Sequence, residues 1–125
     1  MAWNFKSDRP IYIQIADLIK RDIFSGKYAP GDRIPGVRDL AMMASVNPNT
    51  IQHAMNLLEE EGLLVTPSTA GRFVTSDAEV LGRLRESFAE GFCIELVLAL
   101  RAIGLDDRQI SVAVGRALEQ FAEKQ

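Results

Sequence analysis

The chain has 125 residues, of which 47% are hydrophobic and 25% charged, so it has the size and composition of one folded soluble domain with at most a small appendage. Its longest apolar stretch, residues 92–103, is interrupted by Glu95 and Arg101 and is too short to cross a bilayer. The net charge of −3 divides unevenly: residues 1–76 hold eight Lys/Arg and eight Asp/Glu, whereas residues 77–125 hold six and nine.

In chain order, a first helix is expected from Pro10, capped by Ser7 or Asp8. Ile11, Ile15, Leu18, Ile19 and Ile23 give it an apolar stripe, and Gly26 ends it. Residues 28–32 read as a turn punctuated by Pro30-Gly31, and Arg33-Ile34-Pro35 as a short extended piece. Gly36 caps a second helix with Leu40, Met43 and Ala44 on its apolar face. A tight turn over residues 44–46 leads into a third helix that ends at Gly62.

The start of that third helix is the most informative stretch. Asn47 is a good N-cap, because its side-chain oxygen accepts from an unpaired N–H of the first turn, and Pro48 suits the first helical position. Ile51, Ala54, Met55 and Leu58 form one apolar face, while Asn49, Gln52, His53 and Asn56 fall on the other. Amides on an anchored helix suit major-groove readout, since Asn and Gln bind adenine bidentately, and a threonine hydroxyl suits a phosphate.

Residues 63–66 and 72–75 then read as two strands around the hairpin 67–71. Helical patterning resumes at Asp77, with Val80, Leu81, Leu84 and Phe88 as a stripe that Gly91 interrupts. Residues 92–103 are apolar nearly all round, and Gly104 closes this helix. Asp106 to Gln109 open the last helix as a capping box, followed by Ile110, Val114, Leu118 and Phe121.

The expected fold is mainly α with a small β wing. A winged helix-turn-helix DNA-binding domain, residues 1–76, precedes two dimerisation helices, residues 77–125. Two helices bury too little to be stable alone, so a second copy of the chain is expected to cover them in a two-fold homodimer. The neutral charge of residues 1–76 is the main argument against DNA binding. It requires a few well-placed cations or two copies, and it leaves a protein-interaction module that has lost DNA binding as the alternative. Screening ligands against operator affinity would test for an effector pocket between subunits, for which the apolar tail supplies little besides Glu95 and Arg101 to orient a ligand.

Other residues have plainer readings. The lone His53 has no cluster of ligand residues at metal spacing, and the lone Cys93 is expected to be a buried thiol. Glu59-Glu60-Glu61 reads as a solvated helix end, and Trp3 and Phe5 as aromatics packed on the body or a partner. No nucleophile-base pair, phosphate loop, metal set or cofactor motif supports an enzyme. Met1 to Lys6 lacks a signal-peptide pattern, so the cytoplasm is the expected compartment, with no membrane association.

Residues 9–75 resemble the GntR family of bacterial transcription regulators. The resemblance is carried by Pro10-Ile-Tyr-Ile-Gln-Ile15, Pro30-Gly-Asp-Arg-Ile-Pro35, Val37-Arg-Asp-Leu-Ala41, Val46-Asn-Pro-Asn-Thr50, Glu61-Gly-Leu63 and Gly71-Arg-Phe-Val74. The length and helical pattern of the tail resemble the YtrA-like subfamily, in which the tail serves dimerisation. The resemblance implies a homodimeric repressor of its own operon, one that includes a transporter if the subfamily holds, acting on a pseudo-palindromic operator in double-stranded DNA. It implies DNA contacts at Arg38, Asn47, Asn49, Thr50 and Gln52, with Thr50 on a phosphate and Asn49 and Gln52 on bases. The sequence departs from the family pattern at Gly36, where the family has Ser, and in its uncharged hairpin tip. There Arg72 is the only cation nearby in sequence and the remaining candidate for a wing contact.

Overall fold

The computed structural model describes residues 3–124, which form two compact units meeting at Arg85 and Glu86. In the first unit, α1 (Ile11–Phe24), α2 (Val37–Ala44) and α3 (Pro48–Glu60) precede the antiparallel hairpin β1 (Leu64–Ser68) and β2 (Gly71–Val74). The helix α4 (Ala78–Ala102) begins in this unit and continues into the second, where α5 (Asp107–Lys124) follows it. The mainly helical architecture with a small wing is the one expected.

Helix α1 starts one residue later than expected. Pro10 itself is the N-cap and provides no side-chain cap, so neither Ser7 nor Asp8 has that role. The buried Gln14 ties down the chain before the helix instead. Its Oε1 accepts from the Lys6 N–H at 2.8 Å, and its Nε2 donates to the carbonyls of Lys6 at 2.7 Å and Arg9 at 2.8 Å. Trp3 and Phe5, edge to face at 6.3 Å, pack against the core of the same unit.

Ile15, Ile19 and Ile23 of α1 enter the core, but Ile11 at the helix start is exposed. On α2 the buried residues are Leu40, Ala41 and Ala44, with Val37 packed beside them, whereas Met43 is exposed. The apolar face is therefore the 37, 40, 41, 44 series rather than one that includes Met43. A 3.6-residue period admits both, and the small Ala41 is the residue placed in the core. Ile51, Ala54, Met55 and Leu58 of α3 are fully buried, as their spacing requires.

Two local conformations hold the turns. Ser45 closes α2 in the left-handed region at φ 56°, a position where a non-glycine residue is uncommon. At the hairpin, β1 runs through Pro67 to Ser68, so the turn is only Thr69-Ala70 rather than residues 67–71. Val65 pairs with Phe73 and Ser68 with Gly71, leaving Thr66 and Pro67 opposite the single residue Arg72. This irregularity accommodates Pro67, which has no N–H to give a regular ladder. Residues 31–34 join the far side of β2: Val74 N–H donates to the Asp32 carbonyl at 2.8 Å and Ile34 N–H to the Arg72 carbonyl at 3.0 Å.

Asp77 caps α4 by accepting from the Glu79 and Val80 N–H groups, and Leu81 and Leu84 pack on the core of the first unit. The helix passes through Gly91 unbroken and ends before Gly104 at φ 92°. In the second unit the capping box is reciprocal: Asp106 N–H donates to Gln109 Oε1 at 2.9 Å, and Gln109 N–H to Asp106 Oδ1 at 2.8 Å. Ile110 is buried, but Phe92, Ile94, Leu96, Leu98, Ile103, Val112, Leu118 and Phe121 are exposed. Cys93 is exposed as well, contrary to the expected buried thiol, because none of the described residues covers that part of α4.

Candidate nucleic-acid interface

The buried face of α3 fixes the direction of its opposite face, which carries Asn49, Gln52, His53 and Asn56. The helix start is built as expected. Asn47 Oδ1 accepts the Asn49 N–H at 2.8 Å, Pro48 has no N–H to satisfy, and the Thr50 and Ile51 N–H groups reach the Asn47 carbonyl at 3.0 and 3.4 Å. The backbone donors of the first turn are thus committed inside the protein. A phosphate at this helix end must be held chiefly by side chains. Asn47 keeps only its amide NH2 for an external partner, while the Asn49 amide and Thr50 hydroxyl have no partner among the described residues.

Gln52 is held rather than free. Its Nε2 donates to Asn56 Oδ1 at 2.9 Å, one helical turn on. The second N–H of Gln52 and its Oε1 stay available, which is the donor-acceptor pair that bidentate adenine recognition uses. Asn56 was legible as part of the polar face, but its role as the orienting partner of Gln52 was not. His53 lies flat on Tyr12 of α1, with ring centroids 3.6 Å apart and planes at 8°. It fastens α1 to α3 instead of reaching out.

Among the described residues, four ion pairs engage charged side chains of this unit. Arg9 pairs with Asp17, Lys27 with Asp22, Lys20 with Glu61 at 3.0 Å, and Arg72 with Glu59. Glu59 also accepts from the Thr66 hydroxyl at 3.0 Å, so Glu59 and Glu61 are structural ties rather than a solvated helix end. By contrast Lys6, Arg33 and Arg38 make no ion pair among the described residues. Arg38 is exposed near the start of α2 and does not pair with Asp39 or with Asp32, whose carboxylate accepts the Ala29 N–H. Arg38, the Asn49 amide and the Thr50 hydroxyl thus have no partner among the described residues, whereas Arg72 is committed to Glu59 and half-buried.

A buried three-helix core, a tight α2–α3 turn, a two-stranded wing and an amide-bearing second helix of the pair define a winged helix-turn-helix protein. Comparison with known proteins agrees. Residues 11–74 match the family described as bacterial regulatory proteins, gntR family. The chain is 33% identical over 107 residues to the uncharacterized HTH-type transcriptional regulator YhcF of Bacillus subtilis, covering 86% of this chain and 88% of that one. It is 38% identical over 74 residues to the HTH-type transcriptional repressor YtrA of the same organism, covering 59% of this chain and 57% of that one. Among solved structures, a GntR family transcriptional regulator from Listeria monocytogenes superposes with a TM-score of 0.81 at 31% identity, over 90% of this chain and 98% of that one. The DNA-binding domain of AraR in complex with its operator ORX1 superposes with a TM-score of 0.55 at 28% identity, over 60% and 95%. The chain belongs to the GntR family of DNA-binding transcription regulators and is not an enzyme. Among the described residues no helix is long and apolar enough to cross a membrane, and no group of His, Cys, Asp and Glu could hold a metal ion.

Proposed function

We propose that the protein is a homodimeric repressor that binds a pseudo-palindromic operator in double-stranded DNA through paired α3 helices in successive major grooves. Asn49 and Gln52 read base edges, Gln52 being steadied by Asn56. Thr50 and the Asn47 amide hold phosphates, and Arg38 takes a guanine edge or the backbone. The observation that carries this reading is the set of polar side chains at Arg38, Asn49 and Thr50 that have no partner among the described residues, beside a Gln52 already oriented. Arg72 is left out of the contact set, because its charge is spent on Glu59.

The dimer is supported by the second unit, whose exposed Leu98, Leu118 and Phe121 leave apolar surface that a second copy would cover. Two copies also double the contacts available to a unit with little net charge. Repression is supported by the name of the relative YtrA, and control of its own operon, one that includes a transporter, is the form we assign to it. Its place of action is the cytoplasm, with the chromosome. Fluorescence anisotropy against duplex from the protein's own promoter, at two salt concentrations, tests the proposal. Tight binding with a steep salt slope is expected. Absence of binding at low salt, with a stable heterologous protein partner, would identify an interaction module instead.

A further inference from the structure

The wing lacks a free cation in its own sequence, yet one is supplied from elsewhere in the chain. Arg33, in the extended piece before α2, donates from its Nε to the Ala70 carbonyl at the tip of the hairpin, at 2.9 Å. Its guanidinium lies against Gly71, where a Cβ would come within 2.6 Å of Nε, 3.2 Å of Nη2 and 3.3 Å of Cζ. Gly71 also has φ +126°, a conformation that side chains disfavour, so backbone and niche both call for glycine there. Arg33 is exposed and makes no ion pair among the described residues, and its neighbour Asp32 is turned to the Ala29 N–H.

We propose that Arg33 is the DNA-contacting cation of the wing, with Nε fixed on Ala70 and its terminal NH2 groups binding a backbone phosphate beside the groove that α3 enters. This rests on the reading of α3 as the recognition helix. Anchoring one N–H of a guanidinium leaves the rest of its donor fork preset, so less side-chain freedom is lost on binding. It also explains how a hairpin tip of uncharged residues can serve a DNA-binding protein.

The test compares wild type with Arg33→Gln, Arg33→Lys and Arg38→Gln by anisotropy on promoter duplex and on a mixed-sequence duplex, between 50 and 200 mM salt. Each phosphate contact adds about 0.9 to the slope of log affinity against log salt, so two copies of Arg33 add about 1.8. Over that fourfold salt range the wild type should lose about 12-fold more affinity than Arg33→Gln, equally on both duplexes. Arg33→Lys, which keeps the charge, should restore most of the slope. Loss of affinity in Arg33→Gln with an unchanged slope, or no rescue by lysine, would reduce Arg33 to a packing role and overturn the proposal. If Arg38→Gln weakens binding but Arg33→Gln does not, the wing proposal fails while the recognition-helix reading stands. If wild type binds neither duplex, both fail.

Discussion

Asn47 has two duties that substitution can separate. Its Oδ1 accepts the Asn49 N–H at 2.8 Å, and its side chain also stands at the end of α3 that meets the phosphates in the proposed complex. Replacing it with alanine removes the cap and should cost about 1 kcal/mol. For a unit of this size that lowers Tm by about 4–8 °C. Asn47→Asp keeps an acceptor of equal capping strength and places a negative charge at the positive end of the helix, which adds about 0.3–1 kcal/mol. Its Tm should therefore equal or exceed that of wild type.

On DNA the order reverses. A carboxylate ~6 Å from a phosphate is repelled by about 0.7 kcal/mol in bulk water and about 3 kcal/mol at an effective dielectric constant of ~20, in each half-site. Thermal melting monitored by circular dichroism, paired with anisotropy on promoter duplex, reads both quantities. The expected result is Asn47→Asp as the more stable and weaker-binding variant, and Asn47→Ala as the less stable one. An Asn47→Asp protein that binds DNA like wild type would show that this helix end does not face the phosphates. An unchanged Tm in Asn47→Ala would show that the cap contributes nothing.

Two further predictions concern stability and assembly. Leu118→Asp with Phe121→Asp should convert the protein to monomers in sedimentation velocity and abolish promoter binding at moderate salt, and a dimer persisting in the double variant would place the interface elsewhere. His53→Ala removes the stack on Tyr12 and should cost about 0.5–1.5 kcal/mol, lowering Tm while leaving the ratio of promoter to mixed-duplex affinity intact. A change in that ratio without a change in Tm would instead put His53 on the DNA.

What the sequence made legible follows the range of the interactions. The Asn47-Pro48 helix start, the 51, 54, 55, 58 face and the Asp106–Gln109 capping box depend on residues within one or two turns, and spacing reveals them. The α2 face was misjudged at Met43, because eight residues are too few for periodicity to distinguish Ala41 from Met43 as the contact. The partners of charged groups were hidden for a different reason. Arg72 meets Glu59 across 13 residues and Arg33 meets Ala70 across 37, and no local pattern links either pair. Sequence alone left Arg72 as the one candidate cation near the wing, whereas Arg72 pairs with Glu59 and Arg33, from before α2, reaches the hairpin tip. The boundary between regions depends on the same tertiary contacts: Leu81 and Leu84 of α4 pack into the first unit, which reaches Arg85.

The central claim is that uncharged amides on α3 carry sequence discrimination. The direct measurement is the ratio of promoter to mixed-duplex affinity for Asn49→Ala with Gln52→Ala, set against Thr50→Ala. A lost bidentate contact is worth about 1–3 kcal/mol of discrimination, so the ratio should fall at least about 5-fold per half-site in the amide variant. Thr50→Ala should weaken both duplexes alike and leave the ratio unchanged. Parallel losses on both duplexes in the amide variant would contradict the account, because α3 would then be holding DNA without reading it.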